Sequence, residues 1–134
     1  MTSKRTTKQI GSRGERLAAR YLRRHGFRIV ARNRHCGHNE LDLIAKNKEF
    51  ILFVEVKTRS FESESDAQAH PPFLAVDAQK RRRTLDAAHA YLREHPTSRC
   101  PRMDVIEVCL DRTTLRPFRI HHIAGAFDAR GRIH

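Results

Sequence analysis

The run at residues 50–57, Phe-Ile-Leu-Phe-Val-Glu-Val-Lys, restricts the fold of this 134-residue chain more than any other feature. Apart from Glu55 and Lys57, every residue in it is apolar. A strand that is apolar on both faces is typical of the buried centre of a sheet. Residues 46–49, Lys-Asn-Lys-Glu, predict a hairpin turn from an earlier strand. The sequence therefore predicts a sheet with residues 50–57 at its centre.

Helical periodicity on either side of this strand predicts an α/β domain. One helix is expected over 12–25, with Ser12 as N-cap and Gly26 after its end, and a second over 77–95. The other strands are expected at 27–31, 40–45, 103–108 and, fifth, 118–123, and the loops at 32–39 and 60–73. The order is α-β-β-β-α-β-(β), a mixed sheet flanked by helices. Residues 11–124 are expected to form this domain, between a mobile basic tail at 1–10 and a frayed tail at 125–134.

The charge of the chain indicates a polyanionic partner. Lys and Arg total 27 against 15 acidic residues, a formal net charge of +12. Such an excess favours nucleic acid as the partner. A general compositional preference for arginine is the alternative explanation.

The sequence also predicts where the protein works. No apolar run reaches the roughly 18–20 residues that cross a bilayer, so no membrane partner is expected. The basic N-terminus lacks the apolar segment of a secretory signal. Three widely spaced cysteines do not form a disulfide framework. We therefore expect a cytoplasmic protein with reduced thiols.

Two carboxylates and a lysine are predicted to meet beside the central strand. Glu55 and Lys57 are two residues apart and share one face. A hairpin turn at 47–48 places Asp42 roughly opposite residues 53–55. Two carboxylates suit a hard cation such as Mg²⁺, which polarises a phosphate and activates water, while the ammonium group orients that water or stabilises developing charge. A cross-strand salt bridge on an exposed sheet face is the alternative for the same three residues.

Four blocks of the sequence resemble the bacterial YraN family, whose members are similar to archaeal Holliday-junction resolvases and restriction endonucleases. The blocks run through Gly14-Glu15 to Gly26-Phe27, Asn39 to Ala45, Phe53 to Arg59, and Lys80-Arg81 to Val105. The resemblance implies a restriction-endonuclease-like fold with a PD-(D/E)xK-type site. It implies that Asp42, Glu55 and Lys57 are catalytic and that Glu15 joins Asp42 and Glu55 as a metal ligand for Mg²⁺ or Mn²⁺. Asn39 stands where the family usually has Gly, and Asn tolerates the left-handed backbone better than most residues.

The function expected from these features is metal-dependent endonucleolytic hydrolysis of DNA, with branched or structured DNA as a candidate substrate. A non-catalytic nucleic-acid binder that retains the fold is the main alternative, and a protein-interaction module is the third. By analogy with related resolvases, a homodimer is expected. The residues expected to contact nucleic acid are Arg20, Arg24, Arg32, Arg34, Arg59, Lys80 and Arg81.

For two further residues, Lys80 and Glu40, the sequence allows two alternative roles. Lys80 either approaches the scissile phosphate or belongs to a solvated basic run. Glu40 points to the same side as Asp42 and either supports the metal site or pairs with a neighbouring arginine. Asp104 is expected to be structural.

Overall fold

The computed structural model describes residues 5–70 and 78–127, so the predicted tail at 1–4 and the segments 71–77 and 128–134 lie outside the described residues. Eight elements follow one another along this part of the chain. They are α1 (Thr7–Arg24), β1 (Arg28–Cys36), β2 (Asn39–Lys46), β3 (Phe50–Phe61), α2 (Glu64–Gln68), α3 (Ala78–Glu94), β4 (Cys100–Asp111) and β5 (Pro117–Phe127).

One mixed sheet organises the domain, with the strand order β1-β2-β3-β4-β5. The β1–β2, β2–β3 and β4–β5 pairs are antiparallel, whereas β3 and β4 are parallel. Parallel neighbours need a crossover connection, and the segment that contains α2 and α3 supplies it. The predicted α/β class, the mixed sheet and the central position of β3 are confirmed.

The two faces of the sheet are covered by different helices. On one face α1 packs its apolar stripe, which includes Leu17 and Leu22, against Leu52 and Val54 of β3. On the other face α3 packs Leu85 and Tyr91 against Phe53. Because β3 is covered on both faces, its side chains alternate between two cores, and burial of each large one stabilises the fold by roughly 1.5–3 kcal/mol. No helix in the described ranges is long and apolar enough to cross a membrane.

Helix α1 begins earlier than the sequence predicted. Its N-cap is Thr6 rather than Ser12, and Thr6 and Gln9 form a reciprocal capping box. Those two bonds satisfy backbone groups that a helix otherwise leaves exposed, which extends the helix by more than a turn. Residues 7–10 are therefore helical, and the prediction of a tail through residue 10 is wrong for them. Gly26 has φ +89°, as expected of the residue that follows a helix end.

Three predicted loops or tails are partly regular structure. Strand β1 continues to Cys36 and turns at Gly37, whose φ is +65°, so most of 32–39 belongs to the hairpin with β2. The segment 60–73 begins with the end of β3 and contains the short helix α2, capped by the Ser63 side chain. Strand β5 continues to Phe127, so residues 125–127 are not frayed. In each case pairing with a neighbouring strand, or a helix cap, stabilises residues that lie outside the apolar periodicity of the sequence.

Candidate active site

An acidic cavity of about 350 Å³ opens where β2 and β3 separate, with α1 on one side and the start of α3 on the other. Acidic and basic side chains from four elements line it: Glu15, Asp42, Glu55, Lys57 and Lys80. The predicted convergence of Glu15 with the Asp42, Glu55 and Lys57 set is thus found in the structure. We refer to it below as the acidic cavity.

Asp42 lies where the β2–β3 ladder stops. The paired residues run from Lys46 opposite Ile51 to Leu43 opposite Val54, and continuing that register places Asp42 opposite Glu55. Beyond the ladder the Val56 backbone N–H donates to Asp42 Oδ2 at 2.9 Å. The Asp42 carboxyl therefore satisfies a strand donor at the point where the two strands part, which fixes the position of its oxygen.

Burial is the largest influence on Asp42. Burial, followed by the nearby Glu55 carboxylate, raises the pKa of Asp42 from 3.8 to about 7, although the Val56 hydrogen bond acts in the opposite direction. The Asp42 and Glu55 side chains line the same cavity, and the proximity of Glu55 favours the protonated form of Asp42. Two neighbouring carboxyls cannot both ionise without cost, so Asp42 keeps its proton to a higher pH than an ordinary aspartate does.

Two lysines contact Glu55, whose side chain is buried. Lys80 Nζ lies 2.7 Å from Glu55 Oε1, and Lys57 Nζ lies 3.7 Å from the same oxygen. Burial lowers the pKa of Lys80, but the hydrogen bond and charge of Glu55 outweigh it and the net shift is upward. Of the two explanations for Lys80, the structure therefore favours a place at the cavity over a fully solvated run.

Glu15 reaches the cavity because α1 lies very close to β3. At Gly14 a Cβ atom would lie 1.9 Å from Thr58 Oγ1, a separation that no side chain tolerates. Only glycine permits this approach. The neighbouring residue Glu15 is thereby brought to the same cavity as Asp42 and Glu55.

Asn33 is a member of the site that sequence reasoning missed. It lies on β1 between Arg32 and Arg34, which pair with Leu43 and Leu41, so its register partner is Asp42. Its φ of +47° is left-handed, and its amide Nδ2 donates to Glu15 Oε2 at 3.0 Å. Left-handed backbone in a non-glycine residue is uncommon and concentrates at functional sites. No sequence pattern indicated this contact, because it depends on an irregular turn of β1 within a polar stretch.

The donor set suits a hard cation, although it is not closed around one. Carboxylate oxygens are the ligands that Mg²⁺ and Mn²⁺ prefer, and Asp42 and Glu55 already adjoin each other. Within residues 5–70 and 78–127, however, no three His, Cys, Asp or Glu side chains are close enough together to hold a metal ion. Asp42 and Glu55 could hold a cation once Lys80 moves off Glu55, and Glu15 needs a side-chain movement to join them.

The seven residues expected to contact nucleic acid are dispersed. Lys80 lines the acidic cavity, whereas Arg59 lies 3.5 Å from the buried Glu107. The Arg34 guanidinium lies over the Tyr91 ring, 5.7 Å from its centroid. Arg20, Arg24 and Arg32 are exposed, and Arg81 is half-buried in α3. Arg20 and Arg24 occupy the half of α1 farther from the cavity, so they do not form a rim around it.

Glu40 neither lines the acidic cavity nor pairs with an arginine, the two alternatives expected for it. Its Oε2 lies 3.4 Å from His35 Nε2 on the neighbouring strand β1, and both side chains are exposed. Because it lines a hairpin rather than the cavity, Glu40 is a surface residue. Asn39, at the position where Gly was expected, lies in regular strand, and the left-handed turn residue of the hairpin is Gly37.

The α/β fold, a mixed sheet flanked by helices, is consistent with a nuclease-like fold. The profile of the uncharacterised protein family UPF0102 matches residues 14–108, and the chain belongs to this family, which is the YraN family. A UPF0102 protein of Geobacter metallireducens is 38% identical over 90% of this chain and 93% of its own length. A UPF0102 protein of Syntrophotalea carbinolica is 42% identical, over 91% and 94% of the two chains.

Proposed function

We propose that the protein is a metal-dependent nuclease that hydrolyses phosphodiester bonds of DNA at the acidic cavity. The observation that carries the proposal is the state of Asp42. It is a partly buried carboxyl held by one backbone N–H beside a second carboxyl, with a pKa raised to about 7. A carboxyl pair with perturbed protonation in a cleft is a candidate functional site on physical grounds. The formal charge of +12 favours a polyanionic substrate.

Each residue has a distinct part in the proposed reaction. Asp42 and Glu55 would hold Mg²⁺ or Mn²⁺, with Glu15 as a third carboxylate. When bound, such a cation polarises the phosphate and lowers the pKa of bound water. Lys57, which lies on the Glu55 face of β3, orients the attacking water or stabilises charge that develops on the phosphate. Lys80, now against Glu55, neutralises that carboxylate while no cation is held and contacts the phosphate once one is.

A non-catalytic nucleic-acid binder is the second candidate, and one observation favours it. The 2.7 Å ion pair between Lys80 and Glu55 occupies an oxygen that a cation needs. If that ion pair persisted in the presence of divalent cations, the acidic cavity would contain a structural salt bridge and not a metal site, and the basic surface would only bind nucleic acid. The two candidates therefore differ in whether a divalent cation displaces Lys80 from Glu55.

The deciding experiment is a cleavage screen with purified protein on branched, flapped, single-stranded and duplex DNA. Each substrate is incubated with Mg²⁺, Mn²⁺ or EDTA, beside Lys57→Ala and the matched variant Lys8→Ala, whose residue is exposed and does not line the acidic cavity. We expect cleavage of at least one substrate with Mg²⁺ or Mn²⁺, none in EDTA or with Lys57→Ala, and unchanged cleavage with Lys8→Ala. Absence of wild-type cleavage with both cations, together with retained DNA binding, would favour the non-catalytic binder.

The remaining expectations on setting belong to the same proposal. We place the protein in the cytoplasm, where its three free thiols would stay reduced. The homodimer expected by analogy with resolvases is tested by analytical ultracentrifugation of the preparation used for the cleavage screen.

A further inference from the structure

A second cavity lies at the other end of the sheet, where the β2–β3 hairpin turns. Its volume is about 600 Å³, and four of its seven lining residues are basic: Arg28, Lys46, Lys48 and Arg99. Glu49 is its one acidic lining residue. A smaller cavity of about 220 Å³ shares Lys46 and Arg99 with it and continues past His95. We refer to the two together as the hairpin-end groove.

The cation at the centre of this groove is held in position. Arg99 Nε donates to the Asn47 carbonyl oxygen at 2.6 Å. Asn47 is itself fixed, because its Oδ1 accepts from the backbone N–H groups of Glu49 and Phe50 at 2.9 and 2.7 Å. With Nε held, the guanidinium plane of Arg99 is oriented before any ligand arrives. An oriented guanidinium favours a phosphate, whose oxygens accept two parallel hydrogen bonds.

Strand β1 links this groove to the acidic cavity. It is an edge strand that starts at Arg28, which lines the groove, and passes Asn33, which contacts Glu15. Between them Arg32 is exposed. Five residues of strand cover about 17 Å, which matches roughly five base-pair steps of a duplex.

Two simpler explanations account for part of this arrangement. Basic residues on an edge strand discourage pairing with other sheets. Cations near the ends of α1 and α3 interact favourably with the helix dipoles. Neither explanation requires Lys46 and Arg99 to share a cavity with Lys48 in the hairpin turn, nor the Arg99 side chain to be held by Asn47.

We propose that the hairpin-end groove binds the phosphate backbone of a DNA duplex. One part of the duplex lies at the acidic cavity, and the duplex runs along β1 from there to the groove. This inference rests on the proposed function for its ligand, but it concerns binding and not cleavage. The groove contributes phosphate contacts that position the duplex without reading its sequence.

The test compares two double variants that each remove two positive charges. Lys46→Gln with Lys48→Gln alters the groove and leaves the Arg99–Asn47 contact in place. Lys8→Gln with Arg116→Gln is the matched control, on exposed residues that line neither cavity. Affinity for a 16-base-pair duplex is measured by fluorescence anisotropy at several salt concentrations, with EDTA present so that cleavage does not occur.

The groove variant should reduce the slope of log affinity against log salt by about 1 for each lysine, and the control variant should leave it unchanged. As a second measurement, the duplex should shift the amide NMR signals of Asn47 and Phe50 together with that of Val56 in the wild-type protein. A groove variant with the wild-type slope, or equal losses in both double variants, would overturn the inference. If DNA binding depends on salt but the groove variant does not change that dependence, the groove proposal is wrong and the proposed DNA substrate stands. If the protein binds no DNA at all, both proposals are wrong.

Discussion

Two aspartates, the partly buried Asp42 on β2 and the fully buried Asp104 on β4, have opposite surroundings. The Arg102 guanidinium binds Asp104 through two hydrogen bonds of 2.9 and 2.8 Å. His122 Nε2 lies 2.7 Å from Asp104 Oδ2, and the Gly125 N–H donates to Oδ1 at 3.0 Å. Burial raises the pKa of Asp104, but these partners outweigh it and the net shift is downward. Asp42 has one backbone donor and a second carboxyl beside it, and its pKa is raised to about 7.

The difference separates a structural carboxylate, Asp104, from the one that we propose to be functional, Asp42. Asp104 is fully enclosed by donors and holds β5 onto β4 across an irregular part of their ladder. Asp42 is left with an electrostatic cost that the fold itself does not offset. Such a cost is expected where an external cation or proton completes the environment. The expected structural role of Asp104 agrees with these contacts.

The largest expected effect is on cleavage. Asp42→Asn or Glu55→Gln should reduce cleavage by at least ~10³-fold, because each removes a carboxylate proposed to hold the cation. DNA binding should be retained or strengthened, since one source of repulsion toward phosphate is lost. Rates and affinities are measured on the best substrate of the cleavage screen.

Asp86→Asn is the matched control for this loss, because Asp86 is exposed on α3. It removes the same charge without touching the acidic cavity and should cut as the wild type does. Wild-type rates in both cavity variants would exclude Asp42 and Glu55 from the reaction.

Stability should respond to pH at Asp42 in a direction opposite to that at Asp104. The pKa of Asp42 is raised from 3.8 to about 7, so its ionisation opposes folding progressively across that interval and fully above it. In EDTA, Asp42→Asn should therefore stabilise the protein by at most about 4 kcal/mol at pH 8, and by almost nothing at pH 3.5. Urea unfolding at the two pH values measures the difference, and an equal effect at both would contradict the raised pKa.

Asp104→Asn should instead destabilise the protein by about 3 kcal/mol at pH 7, since it leaves Arg102 without a charged partner. The pKa of Asp104 is lowered, so its contribution is complete above the ordinary aspartate pKa and is lost as the pH falls through the folded-state value. The penalty of Asp104→Asn should therefore shrink in acid. A variant that unfolds like the wild type at pH 7 would show that the Arg102 and His122 contacts contribute little.

These two aspartates also show which side-chain contacts can be predicted from the sequence. The alternation of β3 and the hairpin turn at 47–48 sufficed to bring Asp42, Glu55 and Lys57 together, because strand register follows from local turn geometry. The roles of Glu15 and Lys80 came from resemblance, since no local rule relates a helix residue to a strand several elements away. The partners of Asp104 were not predictable, because His122 and Gly125 reach it only after β5 pairs with β4.

The boundaries that were wrong have a common cause. The sequence predicted that α1 starts after Ser12, where a capping pattern meets the apolar periodicity, and that β1 and β3 end where their apolar residues end. In the folded chain these elements continue through polar residues, because Thr6 caps α1 and neighbouring strands supply hydrogen bonds to β1 and β3. The left-handed backbone of Asn33 arises in such a polar continuation, and the contact to Glu15 was missed for that reason.

A smaller effect is expected where α1 approaches the acidic cavity. Gly14→Ala should destabilise the protein by about 1–3 kcal/mol because its Cβ would collide with Thr58. Gly11→Ala, in the same helix and with nothing within 4 Å, should stabilise it by about 1 kcal/mol through helix propensity. Thermal unfolding compares the two, and Thr58→Gly should partly rescue Gly14→Ala. Equal stabilisation by both alanines would show that α1 does not need the close approach.

The smallest expected effect concerns Asn33, which lies on β1 opposite Asp42 and donates a hydrogen bond to Glu15. Asn33→Gly keeps the left-handed backbone and removes the amide, whereas Asn33→Ala changes both. Because alanine is strained at φ +47°, Asn33→Ala should be less stable than Asn33→Gly by about 1 kcal/mol. Both variants should raise the Mg²⁺ concentration needed for half-maximal cleavage severalfold, since Glu15 loses the donor that holds its carboxylate. Metal titrations of cleavage separate this positioning effect from the difference in stability. A metal requirement that changes only in Asn33→Ala would assign the role of Asn33 to the backbone of β1 and not to its amide.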